Sequence, residues 1–144
     1  MWLWHKDLIP YLPRQQLLGQ WRECCCIAKN IAEKGTPNHI LVNKIMDYPI
    51  DHFIKYSEMI CEEMDKRGYK TNYNSFDKWI LFASRLPVKY EDLFKDWHNT
   101  RYLNQCMFNL EEKHDCKGIT DDEWNVLLKG YKEITGKDWE NGSK

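Results

Sequence analysis

Residues 13–35, PRQQLLGQWRECCCIAKNIAEKG, carry the longest helical pattern in the chain and decide its fold. Proline is favoured at the first position of a helix and glycine just past the last, so Pro13 and Gly35 mark its two ends. Between them, apolar residues recur at alternating spacings of four and three: Leu17, Trp21, Cys24, Ala28 and Ile31. This spacing puts them on one face and predicts a long helix with a buried stripe.

Further helices are predicted along the rest of the chain by the same spacing. A second long helix begins after Asp51 and closes at Gly68, with a buried face made of Phe53, Ile54, Ser57, Ile60, Cys61 and Met64. Shorter apolar patterns predict one helix after Pro87, over residues 90–97, and another after Asn99 or Thr100. A capping box, Thr120 to Glu123, opens the last helix. Strand signal is confined to residues 39–42, so we predict an all-α fold.

Length and composition limit the class of protein. The chain has 144 residues, of which 42% are apolar and 14% aromatic, and it contains no repeat or linker-like tract. These values predict one compact domain over residues 1–144. No apolar run approaches the roughly 20 residues of a membrane-spanning helix, and the first residues lack the apolar stretch of a signal peptide. We therefore expect a soluble, cytoplasmic protein.

Charge and cysteine content restrict its partners and chemistry. The net charge is -1, from 21 basic and 22 acidic residues, so any contact with nucleic acid must come from local basic patches. Six cysteines, three of them consecutive from Cys24 to Cys26, lack the spacing of a disulfide scaffold or a zinc site. Glycine-rich phosphate loops and the common hydrolase motifs do not occur in the sequence.

The face of the first helix opposite its apolar stripe is a candidate functional surface. At 100° per residue, this face gathers Gly19, Arg22, Glu23, Cys26 and Asn30, with Gln15 on the same side. An ordinary solvated face carries more Lys/Glu pairs than this one, although a plain surface remains an alternative interpretation. The face therefore favours a binding or catalytic role without naming one.

Four segments of the chain resemble one known family. The segment LPRQQLLGQWRE, residues 12–23 counted from Met1, is similar without a gap to the N-terminal helix of the phage endonuclease V family, the pyrimidine-dimer DNA glycosylases. The segment EMICEEMDKRGY, residues 58–69, resembles the end of that family's second helix. The segments WLWH, residues 2–5, and YLNQCMFNL, residues 102–110, resemble bacterial relatives. The likeness extends over most of the chain.

The resemblance implies a DNA-repair activity that needs neither metal nor cofactor. In that family the α-amine at the N-terminus attacks C1′ of a damaged nucleotide, and a carboxylate then removes a C2′ proton, which leads to β-elimination. Glu23 matches this carboxylate, and the nucleophile matches the amine of Met1, or of Trp2 after trimming. Arg22 and Gln15 match residues of the DNA-facing surface. The implied partner is damaged double-stranded DNA, bound by a monomer.

The sequence departs from the phage members of the family at three positions. Trp2 replaces a small residue, and because a bulky second residue disfavours removal of the initiator methionine, Met1 is expected to stay. This moves the amine outward by about 3.8 Å along the chain. Leu3 and Cys26 replace arginines that contact DNA, and Lys29, one turn on from Cys26, is a candidate substitute for one of them.

Two other functions remain open at this point. One is a catalytically inactive helical module that binds DNA or a protein partner, which would account for Trp2 and the missing arginines. The other is a glycosylase for a modified base instead of a pyrimidine dimer. His39 precedes the second long helix at a place similar to a histidine-containing segment of the family, although a structural histidine is its simplest interpretation.

Overall fold

The computed structural model describes residues 1–80 and 86–140, and every regular element in these two ranges is helical. Within these ranges the chain forms five α-helices: α1 (Arg14–Lys34), α2 (Ile50–Lys66), α3 (Asn74–Asp77), α4 (Thr100–Asp115) and α5 (Asp121–Thr135). Short 3₁₀ helices cover Lys6–Tyr11, Asn43–Asp47 and Tyr90–Asp92. The all-α prediction is confirmed. No helix within the described ranges is long and apolar enough to cross a membrane.

Helix α1 forms as its sequence predicts. Pro13 precedes the first turn, and Gly35 ends the helix with φ of 75°, a left-handed conformation that costs glycine little. Leu17, Cys24 and Ala28 are completely buried, so the predicted apolar stripe faces the core. The opposite face, which carries Arg22 and Cys26, is exposed. This amphipathic division leaves Glu23, half-buried, near the boundary between the two faces.

The other long helices are also confirmed, although α2 begins at Ile50, after Pro49, so its predicted start after Asp51 is wrong. Every residue of the buried face predicted for α2 is buried, and Gly68 follows the helix with φ of 82°. At α4, the Asn99 side chain accepts a hydrogen bond from the Tyr102 N–H. At α5, both bonds of the capping box between Thr120 and Glu123 are present. Helices α1 and α2 pack against each other, and both contribute buried side chains to the core.

The prediction of a helix over residues 90–97 is wrong. Only Tyr90–Asp92 form a 3₁₀ turn, and two left-handed residues follow, Phe94 with φ of 50° and Asp96 with φ of 73°. Phe94 and Trp97 are nevertheless buried, and the Phe94 N–H donates to the His52 ring at 3.1 Å. The apolar spacing therefore belongs to a compact turn that inserts its side chains into the core without being helical.

Residues 39–42, the only strand signal, form a turn that leads into the 3₁₀ helix Asn43–Asp47. Val42 and Ile45 are buried, whereas Ile40 and Leu41 are exposed. The short helix α3, which the sequence pattern did not indicate, places the fully buried Phe76 against Trp21 of α1.

Candidate active site

The first four residues lie along one edge of α1 and are bound to its side chains. The Trp2 amide N–H donates to Glu23 Oε2 at 3.1 Å, and the Trp2 carbonyl accepts from Gln20 Nε2 at 3.1 Å. The Trp4 N–H donates to Gln20 Oε1 at 2.8 Å. Because Gln20 and Glu23 are three residues apart on one helix, they occupy the same side and fix the position of the N-terminal segment.

Helix α4 holds the same segment from the other side. The Trp2 indole stacks on Tyr102 with ring centroids 5.9 Å apart and an angle of 17° between their planes. The Tyr102 hydroxyl donates to the carbonyl of Leu3, whose side chain is completely buried. Trp2 therefore anchors the backbone that carries the α-amine, which gives a structural reason for a large residue at this position.

Helix α2 supplies a third anchor through Tyr56. This side chain is completely buried, and its hydroxyl lies 2.6 Å from the Trp4 carbonyl and 3.2 Å from Gln20 Oε1. Burial raises the pKa of Tyr56 well above its ordinary value, so the hydroxyl remains a neutral donor. The second, third and fourth residues of the chain are thus fixed by side chains from three different helices.

We expect Tyr56→Phe to lower the free energy of unfolding by about 1–3 kcal/mol, because it leaves the Trp4 carbonyl buried without its donor. Equilibrium urea unfolding measures this loss. Tyr48→Phe is the matched control, since the Tyr48 hydroxyl donates to the Lys95 carbonyl at an exposed position where water can replace it. Equal losses in the two variants would contradict a buried anchoring role for Tyr56.

The α-amine contacts an imidazole, and the Glu23 carboxylate contacts the backbone nitrogen of the next residue. The Met1 nitrogen is 3.2 Å from His39 Nε2, and the next backbone nitrogen, that of Trp2, is the atom in contact with Glu23. Successive backbone nitrogens are roughly 3–3.7 Å apart, so the amine is within one residue's reach of the carboxylate. Met1, Glu23 and His39 are each half-buried. The cluster therefore places a primary amine, a carboxylate and an imidazole near one another, each partly open to solvent.

A cleft of about 480 Å³ opens beside this cluster. The ring of Trp2 forms part of its wall, and the side chains of Lys44 and Arg101 bring two positive charges to it, with Asp96 as a negative one. Ile40, which is 86% exposed, lies at the same cleft. This composition suits a ligand with anionic groups and flat apolar surfaces, which a nucleotide has.

The predicted DNA-facing residues lie in one row along the exposed face of α1, because Gln15, Arg22 and Lys29 are spaced seven residues apart. Arg22 and Gln15 are exposed, and the Arg22 guanidinium extends over Gly19, where an added Cβ would lie 3.8 Å from it. Lys29 is exposed in line with Arg22 and about 120° around the helix from Glu23, with Nζ 5.6 Å from the centre of the Trp79 ring. The structure brings Met1, Trp2 and Glu23 together and leaves Lys29 apart from them.

The cysteines beside Glu23 do not offer a second nucleophile. Burial raises the pKa of Cys25 to about 11 and that of Cys24 further, so both remain thiols at neutral pH. Within residues 1–80 and 86–140, no three His, Cys, Asp or Glu side chains come together in a way that could hold a metal ion.

Two residues of the site were not identified from the sequence. Gln20 is only 1% exposed. The sequence signal that could have indicated it is an amide at the border between the apolar stripe and the polar face of the helix, because a buried amide needs hydrogen-bond partners. In the sequence, His39 was most simply interpreted as a structural histidine, like His52 and His98. Its contact with the α-amine is what makes it part of the site.

Comparison with known families identifies the family to which the chain belongs. A family model described as pyrimidine dimer DNA glycosylase matches residues 1–77, which include α1, α2 and the loop that carries His39. The chain belongs to the pyrimidine dimer DNA glycosylase family. At the level of the family, its activity is therefore that of a DNA repair glycosylase. No curated protein and no solved structure gives a match to the chain.

Proposed function

We propose that this protein is an N-glycosylase with abasic-site lyase activity, which acts on damaged pyrimidines in double-stranded DNA through its N-terminal α-amine. One observation carries the proposal: the chain folds back at its start so that the Trp2 nitrogen is 3.1 Å from Glu23 Oε2. This contact keeps the amine of the preceding residue close to the base that the reaction needs. We retain the expectation of a single-domain monomer that uses no cofactor.

The reaction assigns separate roles to the amine and to Glu23. The neutral amine forms a bond to C1′ while the glycosidic bond breaks and the base leaves with the bonding electrons. Loss of an amine proton and opening of the sugar ring give an imine. The Glu23 carboxylate then removes a proton from C2′, and the electrons of that bond form an enamine with C1′. The enamine expels the 3′ phosphate with the electrons of the C3′–O bond as a C2′–C3′ double bond forms.

We assign the nucleophile to Met1. A bulky Trp2 disfavours removal of the initiator methionine, and the Trp2 nitrogen is already used as an amide donor to Glu23. If Met1 were removed, the new amine of Trp2 would occupy the position of that amide nitrogen, directly against the carboxylate. Both forms keep an amine beside Glu23, and they differ in which residue becomes modified.

Borohydride reduction of the imine on DNA that contains an abasic site tests this function. We expect a stable covalent adduct, and mass mapping should locate it on Met1. An adduct on Trp2 would overturn the assignment of the amine while supporting the lyase mechanism. The absence of any adduct under conditions where the protein binds the DNA would overturn the lyase mechanism and favour a binding module.

Arg22 and Lys29 are proposed to contact DNA phosphates, each with one positive charge. Replacing either by alanine should weaken DNA binding and reduce the slope of log affinity against log salt by about one. Fluorescence anisotropy over a series of salt concentrations measures both quantities. Lys129, exposed on α5, provides a control variant of equal charge change. A slope unchanged by Lys29→Ala would remove Lys29 from the interface.

A further inference from the structure

His39 contacts the α-amine and is itself held by several hydrogen bonds. Its backbone N–H donates to Asn43 Oδ1 at 3.0 Å. Its carbonyl accepts from the N–H groups of Val42 and Asn43 at 3.0 and 2.9 Å. The imidazole, whose Nε2 is 3.2 Å from the Met1 nitrogen, is therefore carried by a backbone with a fixed position.

The loop that carries His39 is joined to the same helix as Glu23. Asn30 of α1 donates from its side chain to the carbonyl of Pro37 at 2.9 Å, and Pro37 is buried. The next residue, Asn38, has φ of 59°, a left-handed conformation that asparagine adopts more readily than most residues. Helix α1 therefore positions both the carboxylate and the imidazole relative to the amine.

A second contact of the ring determines which nitrogen of His39 carries its proton. The Leu41 N–H donates to Nδ1 at 3.3 Å, so Nδ1 must be the unprotonated nitrogen, and a neutral ring then carries its hydrogen on Nε2. An Nε2–H group can only donate. An ammonium has three N–H bonds and no lone pair, whereas a neutral amine has a lone pair that accepts. The contact with Met1 is thus a hydrogen bond only when the amine is unprotonated.

We propose that His39 is a positioning residue that favours the unprotonated form of the Met1 amine and holds it beside Glu23. The catalytic part of this inference rests on the proposed function, in which the unprotonated amine attacks the sugar. The amine can turn about its N–Cα single bond, so the lone pair moves from the imidazole to C1′ when DNA binds. His39 then prepares the nucleophile without itself touching the substrate.

Of the other charged groups around the amine, some favour its ammonium form and some oppose it. The negative charge of Glu23, on α1, favours the ammonium form. In the neighbouring cleft, Lys44 and Arg101 oppose a further positive charge, and Asp96 favours it. All four charges stay in place when only His39 is changed, so a comparison of His39 variants isolates the contribution of the imidazole.

The protonation of the amine can be measured without DNA by the rate at which a succinimidyl ester acylates the N-terminus across a pH series, with mass spectrometry of the N-terminal peptide. We expect His39→Ala to shift the labelling profile to higher pH and to reduce labelling at neutral pH about tenfold. His39→Gln, whose side-chain amide can replace the Nε2–H donor, should remain within about twofold of the unmodified protein.

His114→Ala is the matched control, because His114 lies at the end of α4 and pairs with Asp121 at 2.8 Å. Superimposable profiles for His39→Ala and the unmodified protein would overturn the proposal. So would a His39→Gln variant that labels as slowly as His39→Ala, since the donated hydrogen bond would then not be the cause. Failure of borohydride trapping with a shifted labelling profile would instead reject the proposed function and leave this inference standing.

Discussion

Glu23→Gln should lower the rate of strand cleavage at an abasic site by about 10²–10⁴-fold, the usual contribution of a positioned general base. The glutamine amide cannot take the C2′ proton. Its oxygen can still accept the Trp2 N–H, so the N-terminal segment should keep its position. We therefore expect imine formation and DNA affinity to change much less than the elimination step. Single-turnover cleavage of DNA with an abasic site measures the effect.

Glu33→Gln is a suitable control for this experiment, because it makes the same change in charge at an exposed position on the same helix. It should cleave abasic DNA within about twofold of the unmodified protein, as expected for a surface site away from the reaction. A Glu23→Gln variant that cleaves as fast as the Glu33→Gln variant would show that another group removes the C2′ proton.

The helices could be predicted from the sequence where local signals agree with one another. At α1, apolar spacing, an N-terminal proline and a C-terminal glycine all indicate the same helix, and at α5 the apolar spacing agrees with the capping box; the structure has both helices. Over residues 90–97 only the spacing indicated a helix. Left-handed Phe94 and Asp96 interrupt the backbone there, and the His52 ring takes the Phe94 N–H that a helix would use. Tertiary contacts therefore override the local pattern.

The site was less predictable than the fold because distant contacts build it. Glu23 and Arg22 follow from the family resemblance and from their common helix. The anchors of the N-terminal segment do not, since the bond from Tyr102 to Leu3 joins residues 99 positions apart. His39 reaches Met1 across 38 positions. No periodicity in a single sequence reports contacts of this kind.

Trp2 illustrates how a departure from the family pattern can be part of the site. In the sequence, the bulk of Trp2 predicts that Met1 is retained, which displaces the α-amine outward by one residue relative to the phage members of the family. In the structure its indole stacks on Tyr102 while its N–H contacts Glu23. We propose that the large side chain holds the displaced amine near the carboxylate and so compensates for the longer N-terminus.

Adding two residues, Gly-Ser, before Met1 should reduce both borohydride trapping and strand cleavage by roughly 10³-fold or more, equivalent to about 4 kcal/mol of activation free energy. The extension converts the Met1 amine into an amide, which has no nucleophilic lone pair. The new terminal amine would lie two residues farther from Glu23. Since successive Cα atoms are about 3.8 Å apart, it would be beyond the position that the His39 contact now defines.

The same two residues added after Lys144 provide the control, which should trap DNA as the unmodified protein does. DNA affinity of the N-terminally extended protein should change by less than about tenfold, because Arg22 and Gln15 remain exposed on α1. Full trapping by the extended protein, with the adduct on an internal lysine, would mean that a side-chain amine performs the attack. In that case the contact between the Trp2 N–H and Glu23 would serve only to stabilise the fold.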